Sequence, residues 1–339
     1  MRVIFLAAVN AVAPVVLLIL LGYILKEKGF FTKDFLKIGN KLVFNICLPC
    51  ALFINVYSIE GFSTISWDIV IYGVGMLILI FLLGLGTAMF ITKVPQRRGV
   101  ILQCTFRSNI AIIGLSLASA VGGEEAMAVA AIISSFTVPV NNILAVISLS
   151  MFISGDKSER MSTKQVLMNI VKNPLIIGVA AGLVCVGVRE IQRAVFGDVI
   201  FAFSSQMKFL YTAVNNLKSI ATPFALLVLG GQFEFSAVKG MRKEIITGTV
   251  WRIVLAPMLG LGIAAMLTNM GFLSCGVNEY PALIALFGSP VAVSSAVMAG
   301  SMGSDEQLAT QLVVWTSIFS IITVFAEVCI LMSAGLLVV

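Results

Sequence analysis

Apolar residues fill ten long runs along the chain, and polar residues gather in the short stretches between them. The runs cover about 4–25, 35–57, 67–92, 98–120, 125–153, 165–188, 207–232, 244–270, 280–301 and 306–337. Each is about 20 residues or longer, enough for a helix to cross a hydrocarbon core of about 30 Å. A backbone inside lipid has no water to bond, so each run is expected as an α-helix. The first run does not read as a cleaved leader, because Ala11-Val12-Ala13 is followed by Pro14 and the apolar stretch continues to Leu25. The pattern predicts an all-α polytopic membrane protein with ten transmembrane helices, its main surroundings the lipid bilayer.

The charges of the connecting stretches orient these spans. With the spans alternating in direction, one side receives Lys26, Lys28, Lys33, Lys37, Lys41, Lys93, Arg97, Arg98, Lys157, Arg160, Lys164, Lys239, Arg242 and Lys243, fourteen in all. The other side receives four, Arg2, Arg189, Arg193 and Lys208. Basic loops stay in the cytoplasm. Both termini are therefore expected outside the cytoplasm, in a multi-pass protein of the inner (plasma) membrane.

Composition agrees with this and removes other classes. The 339 residues are 59% hydrophobic and 11% charged, with a mean hydropathy of +1.07, more apolar side chain than a soluble surface leaves room for. The isoelectric point near 9.1 follows from the membrane charge pattern and does not point to nucleic acid. There is no histidine, and the six cysteines fall mostly inside apolar runs. Cys47 and Cys50 form a CxxC within the second run, where thiols pack as small hydrophobes. No metal set, phosphate loop, nucleophile elbow or paired catalytic carboxylates are found, so neither a cofactor nor an enzymatic activity is expected.

Two polar islands interrupt the pattern. The fourth run carries Arg107-Ser108-Asn109 at its centre and the ninth carries Gly288-Ser289-Pro290. Shifting residues 108–128 by 181 lays Ser108 on Ser289, Ala111 on Ala292, Ala118 on Ala299, Gly122 on Gly303 and Ala128 on Ala309 without a gap. Upstream, Pro49 matches Pro223, while Pro14 and Gly22 match Pro174 and Gly182. The chain thus reads as two five-helix units, residues 1–155 and 156–339. Five is odd, so the second is inverted relative to the first, as the charge count also requires. Inverted repeats with interrupted helices are typical of secondary transporters. Pro290 lacks an N–H and would cost an unbroken helix about 3 kcal/mol, and Ser108 and Asn109 compete for backbone hydrogen bonds. Spans 4 and 9 are expected to break at 107–110 and 288–291 and to cross, their half-helix N-termini presenting partial positive charge to an anionic guest.

The phrases "FRSNIAIIGLSLASAVGG", "NPLIIGVAAGL", "ATPFALLVLGG" and "GSPVAVSSAVMAGSMGSDEQLATQLVVWTSIFSI" resemble the auxin efflux carrier (AEC) family in its short bacterial form, over essentially the whole chain. That resemblance implies spans 1, 2, 6 and 7 as a scaffold and spans 3–5 and 8–10 as a moving transport unit. It further implies elevator-type alternating access and a homodimer formed through the scaffold. Family substrates are small organic anions, auxin in plants and dicarboxylates suggested for bacterial relatives. This chain departs at Ser108, where plant members have proline, and has only "SGDKSERMSTKQ" where they have a long loop.

Individual residues carry open alternatives. Asn109 is a substrate contact or a helix cap; Asn141 and Asn142 contact substrate or hydrogen-bond between helices. Ser289, Pro290 and Ser294 complete the expected substrate-binding set. Arg107, costly in a span interior unless paired or hydrated, meets either an anion or Glu327 in span 10. Glu327 and Asp68 are the candidate coupling or charge partners, for a proton or sodium ion. Lys218 and Arg252 read as snorkelling or facing scaffold crevices. The leading function is an efflux or exchange carrier for a small organic anion, with a carboxylate the expected chemistry. The alternatives are an ion-coupled bile-acid-symporter-like transporter, a cation/proton antiporter, and a membrane sensor on a transporter fold.

Overall fold

The computed structural model describes residues 2–59, 66–152 and 172–337, and these are helical with short connections. The basic residues Lys157, Arg160 and Lys164, the loop that carries them and the boundary between the two expected units lie outside the described residues. The main helices are α1 (Arg2–Glu27), α2 (Lys33–Tyr57), α3 (Trp67–Ile91), α4 (Pro95–Phe106) and α5 (Ile110–Ser150). They continue as α6 (Pro174–Phe196), α7 (Lys208–Gln232), α8 (Phe235–Asn269), α9 (Glu279–Phe287), α10 (Ser294–Ser301) and α11 (Glu306–Ser333). Among the described residues seven of these are long and apolar enough to cross a bilayer. The chain is a multi-pass, all-helical membrane protein.

The seven do not include α1, and the fourth and ninth of the ten expected runs do not count as single spans. The fourth and ninth runs are each split, leaving α4, α9 and α10 too short to cross alone. The second half of the fourth run is joined to the fifth in α5, where Gly123 alone takes a left-handed φ of 74°. Gly303, between α10 and α11, takes the same φ. Within the sixth run α6 starts at Pro174, where Asn173 Oδ1 accepts from Leu175 N at 2.9 Å and Pro174 fills the first helical position; residues 165–171 of that run lie outside the described residues.

Sequence chemistry sets the other helix starts in the same way. Thr32 Oγ1 accepts from Phe35 N at 3.1 Å before α2. Asp305 Oδ1 accepts from Leu308 N at 2.9 Å before α11, while its Oδ2 takes a bond from Arg97 Nε at 3.0 Å. Three helices contain a wide π turn, at Val43–Cys47, Ile110–Gly114 and Trp251–Leu255. The last two lie next to the charged residues considered below, as such turns often do at functional positions.

Packing groups the helices. α1 lies along α7 and α2 along α6, whereas α9 lies along α5 and α3 along α4. The α1–α7 contact is as close as backbones allow. A Cβ on Gly22 would stand 2.1 Å from Leu227 O, and one on Gly230 would stand 1.9 Å from Ile19 O. Small residues at such seams are what hold membrane helices together, since lipid is as apolar as leucine. Gly230→Val should therefore separate the pair and destabilise the fold by about 2–3 kcal/mol. Thermal unfolding of the detergent-purified variant measures this; an unchanged midpoint would show that the seam yields without cost.

Candidate functional site

The two polar islands meet. α4 ends at Phe106 and the chain runs extended through Arg107, with φ −82° and ψ 94°, before α5 begins at Ile110. The second interruption covers 288–293, between α9 and α10. Ser108 and Val291 pair as a single antiparallel bridge. Asn109 N donates to Pro290 O at 2.8 Å and Ala292 N donates to Arg107 O at 3.2 Å. Each break thus supplies the backbone partners the other lost by leaving the helix, the condition for irregular backbone at membrane depth. Gly114, in the first turn of α5, makes the approach possible: a Cβ there would lie 2.7 Å from Ala285 O.

The half-helices sort by polarity. The N-terminal turns of α5 and α10 border a cavity of about 160 Å³, through Ala111, Ile112, Val293 and Ser294. Such ends carry partial positive charge. The C-terminal ends of α4 and α9 converge instead on Arg252, carried by the π turn of α8 and fully buried. Its Nε donates to Ser289 O at 3.0 Å and its Nη1 to Thr105 O at 3.3 Å. Its Nη2 donates to Leu286 O at 3.3 Å and also to Phe287 O. A guanidinium is thereby placed where two helix ends present their negative poles. Arg252 is neither snorkelling nor facing a crevice, as its sequence context suggested.

Cavity lining gathers most of the expected residues. Arg107, Ser108, Asn109, Asn141, Asn142 and Ser294 all reach it. Ser289 and Pro290 do not: Ser289 Oγ donates to Ala285 O at 2.6 Å and Pro290 O is taken by Asn109 N, so both secure the break behind the cavity wall. Asp68 is exposed at the start of α3 and lies away from the cavity. Asn109 does not cap α5 with its side chain. Lys218, expected to face a scaffold crevice, lines the cavity from α7 together with Thr222, and Asn55 joins from α2.

Hydrogen bonding shows what the cavity offers a guest. Arg107 is 2% exposed. Its Nη2 donates to Asn142 Oδ1 at 2.8 Å and to Ser294 Oγ at 3.0 Å, and its Nη1 to Gln103 Oε1 at 3.2 Å. The remaining contact is Met298 Sδ at 3.0 Å. All four acceptors are neutral, and among the described residues no ion pair involves Arg107 or Lys218. The alternative of the two readings, a pair between Arg107 and Glu327, is not formed among the described residues. Ser108 Oγ, Asn109 Nδ2 and both amide atoms of Asn141 are buried without a hydrogen-bond partner among the described residues. Buried polar atoms are nearly always satisfied, so a group of them around one cavity marks a place built for a polar guest.

Comparison with known proteins agrees in kind. The family described as membrane transport protein matches residues 7–326. The uncharacterized transporter MJ1031 of Methanocaldococcus jannaschii is 22% identical over 319 residues, covering 93% of this chain and 96% of that protein. The uncharacterized transporter YfdV of Escherichia coli strain K12 is 24% identical over 295 residues, covering 84% of this chain and 85% of its own length.

Proposed function

Because this chain belongs to the membrane transport protein family, the auxin efflux carrier family, and is a membrane transporter, we propose that it carries a small organic anion, a carboxylate, as a secondary transporter. The observation that carries the reading is Arg107: a buried guanidinium at the cavity whose hydrogen-bond acceptors are all neutral. A carboxylate entering there recovers its lost hydration from Arg107, from Lys218, from the free donors of Ser108, Asn109 and Asn141, and from two helix N-termini.

The proposed architecture is the ten-span, inverted five-helix repeat with crossing breaks. α1, α2, α6 and α7 form the scaffold, and the remaining helices form the unit that moves by an elevator-type displacement. Cavity placement supports this division. Leu48, Ala51, Asn55, Leu175, Lys218 and Thr222 line it from the scaffold side, and the breaks with α5 line it from the other. An anion held between Arg107 and Lys218 would leave the lysine behind when the moving unit is displaced. A homodimer through the scaffold, an inner-membrane location and external termini complete the proposal.

The test is binding and uptake of labelled mono- and dicarboxylates by the purified protein in liposomes. Asn109→Ala should weaken binding by about 1–2 kcal/mol and Lys218→Gln by about 1 kcal/mol, as expected for lost hydrogen bonds to a charged partner. Titration calorimetry on folded variants reads both. If Asn109→Ala binds as tightly as the parent, the anion sits elsewhere.

A further inference from the structure

One carboxyl group lies outside the anion cavity and is unused by the reading above. Glu327, on α11, is half-buried as a residue, but both its carboxylate oxygens are shielded and have no hydrogen-bond partner among the described residues. Other acidic side chains packed into the interior are provided for. Glu244 Oε1 accepts from Arg97 at 3.1 Å, and Glu306 Oε1 accepts from Asn40 at 2.9 Å and Gln232 at 2.8 Å. Glu327 instead abuts the second break directly: a Cβ on Gly288 would lie 2.1 Å from its Oε2.

The charge that faces Glu327 is Arg252 of α8, and beside Arg252 stands the Cys104 thiol of α4, which donates to Gly248 O at 3.4 Å. No further charged group among the described residues reaches it. Yet the two do not form an ion pair within 4.0 Å, because every guanidinium nitrogen of Arg252 is directed at a backbone carbonyl of the breaks. A carboxylate in that position would have lost its hydration and gained no donor; a carboxylic acid is free of that cost.

Resting on the carrier reading, we infer that Glu327 is the proton-binding site of the transport cycle. It carries its proton in the arrangement seen here. It gives that proton to water when the breaks rearrange, and the carboxylate then pairs with Arg252. Ionised, Glu327 competes with Leu286, Phe287 and Ser289 for the guanidinium. Those carbonyls lie on the same strip of chain whose Ala292 N holds Arg107 O and whose Ser294 Oγ holds the Arg107 side chain at the cavity. Proton and anion occupancy are thereby linked through residues 286–294, and linkage of this kind acts in both directions.

Parent and Glu327→Gln proteins in liposomes, with radiolabelled succinate as probe, separate the steps. Exchange against internal succinate without a pH difference needs only the anion site; accumulation driven by an imposed pH difference needs the proton site as well. Glu327→Gln should keep exchange and lose accumulation. A variant that still accumulates succinate, or that loses exchange too, overturns the inference. A second readout needs no substrate. The infrared spectrum of the parent in lipid at neutral pH should contain the carbonyl band of a protonated carboxyl group that Glu327→Gln lacks, and its absence overturns the inference. If succinate is not moved at all, the carrier reading fails for that anion while the infrared band still decides the proton site.

Discussion

Replacing Arg252 with alanine is expected to destabilise the protein more than any single change in the cavity, by about 3 kcal/mol or more, because the buried backbone acceptors it serves are left unsatisfied. Four carbonyl oxygens, those of Thr105, Leu286, Phe287 and Ser289, lose their donor together. Unsatisfied buried groups cost about 1 kcal/mol or more each. Two helix ends would present their negative poles to an empty volume the size of the lost side chain. Arg252→Lys should recover only part of the loss, because an ammonium is a point donor and cannot reproduce the planar fork that reaches both breaks at once. Thermal unfolding in detergent and the yield of monodisperse protein measure the series. If Arg252→Ala melts with the parent, the breaks are held by Ser108–Val291 and their packing alone.

That arginine also shows where the sequence stops being readable. The islands at Arg107-Ser108-Asn109 and Gly288-Ser289-Pro290 announced themselves, because polar residues and proline inside apolar runs have few structural explanations. Their breaks fall at 107–109 and 288–293, close to the expected 107–110 and 288–291. Arg252 sits in an equally apolar run but bonds only to backbone, and one partner, Thr105, is 147 residues away. Carbonyl oxygens leave no residue-type signature, so nothing in the composition could have tied α8 to the breaks. Lys218 is a different case. Lys218, Thr222 and Ala225 recur at helical spacing and line the cavity together, and the polar pair at i, i+4 was a signal available beforehand. The repeat register is a subtler matter. Sequence similarity sets Gly122 on Gly303, whereas the left-handed turns fall at Gly123 and Gly303. Identical side chains fixed the match, while the backbone needs its flexible residue one position later.

Arg107→Gln is expected to produce the largest loss of anion binding, about 2–3 kcal/mol or roughly 30- to 150-fold in Kd. Glutamine retains an amide that can still meet Asn142 Oδ1 or Ser294 Oγ, so the fold should tolerate it. What disappears is the formal charge and the fork. Because Arg107 is 2% exposed and its protein acceptors are neutral, its charge is not screened by a carboxylate partner, and an incoming anion feels it at short range with little intervening water. Lys218, half-buried on α7, is closer to solvent and contributes less, which sets the order of the two variants. The control is Asn142→Ala. Removing Oδ1 leaves the charge in place but frees the guanidinium to swing, so binding should weaken by less than in Arg107→Gln. Calorimetry with the best-bound carboxylate, on variants whose melting matches the parent, ranks them as Arg107→Gln, then Asn109→Ala, then Lys218→Gln. A ranking in which Lys218→Gln costs more than Arg107→Gln would move the anion toward the scaffold face and make Arg107 a residue that stiffens the break through Asn142 and Ser294.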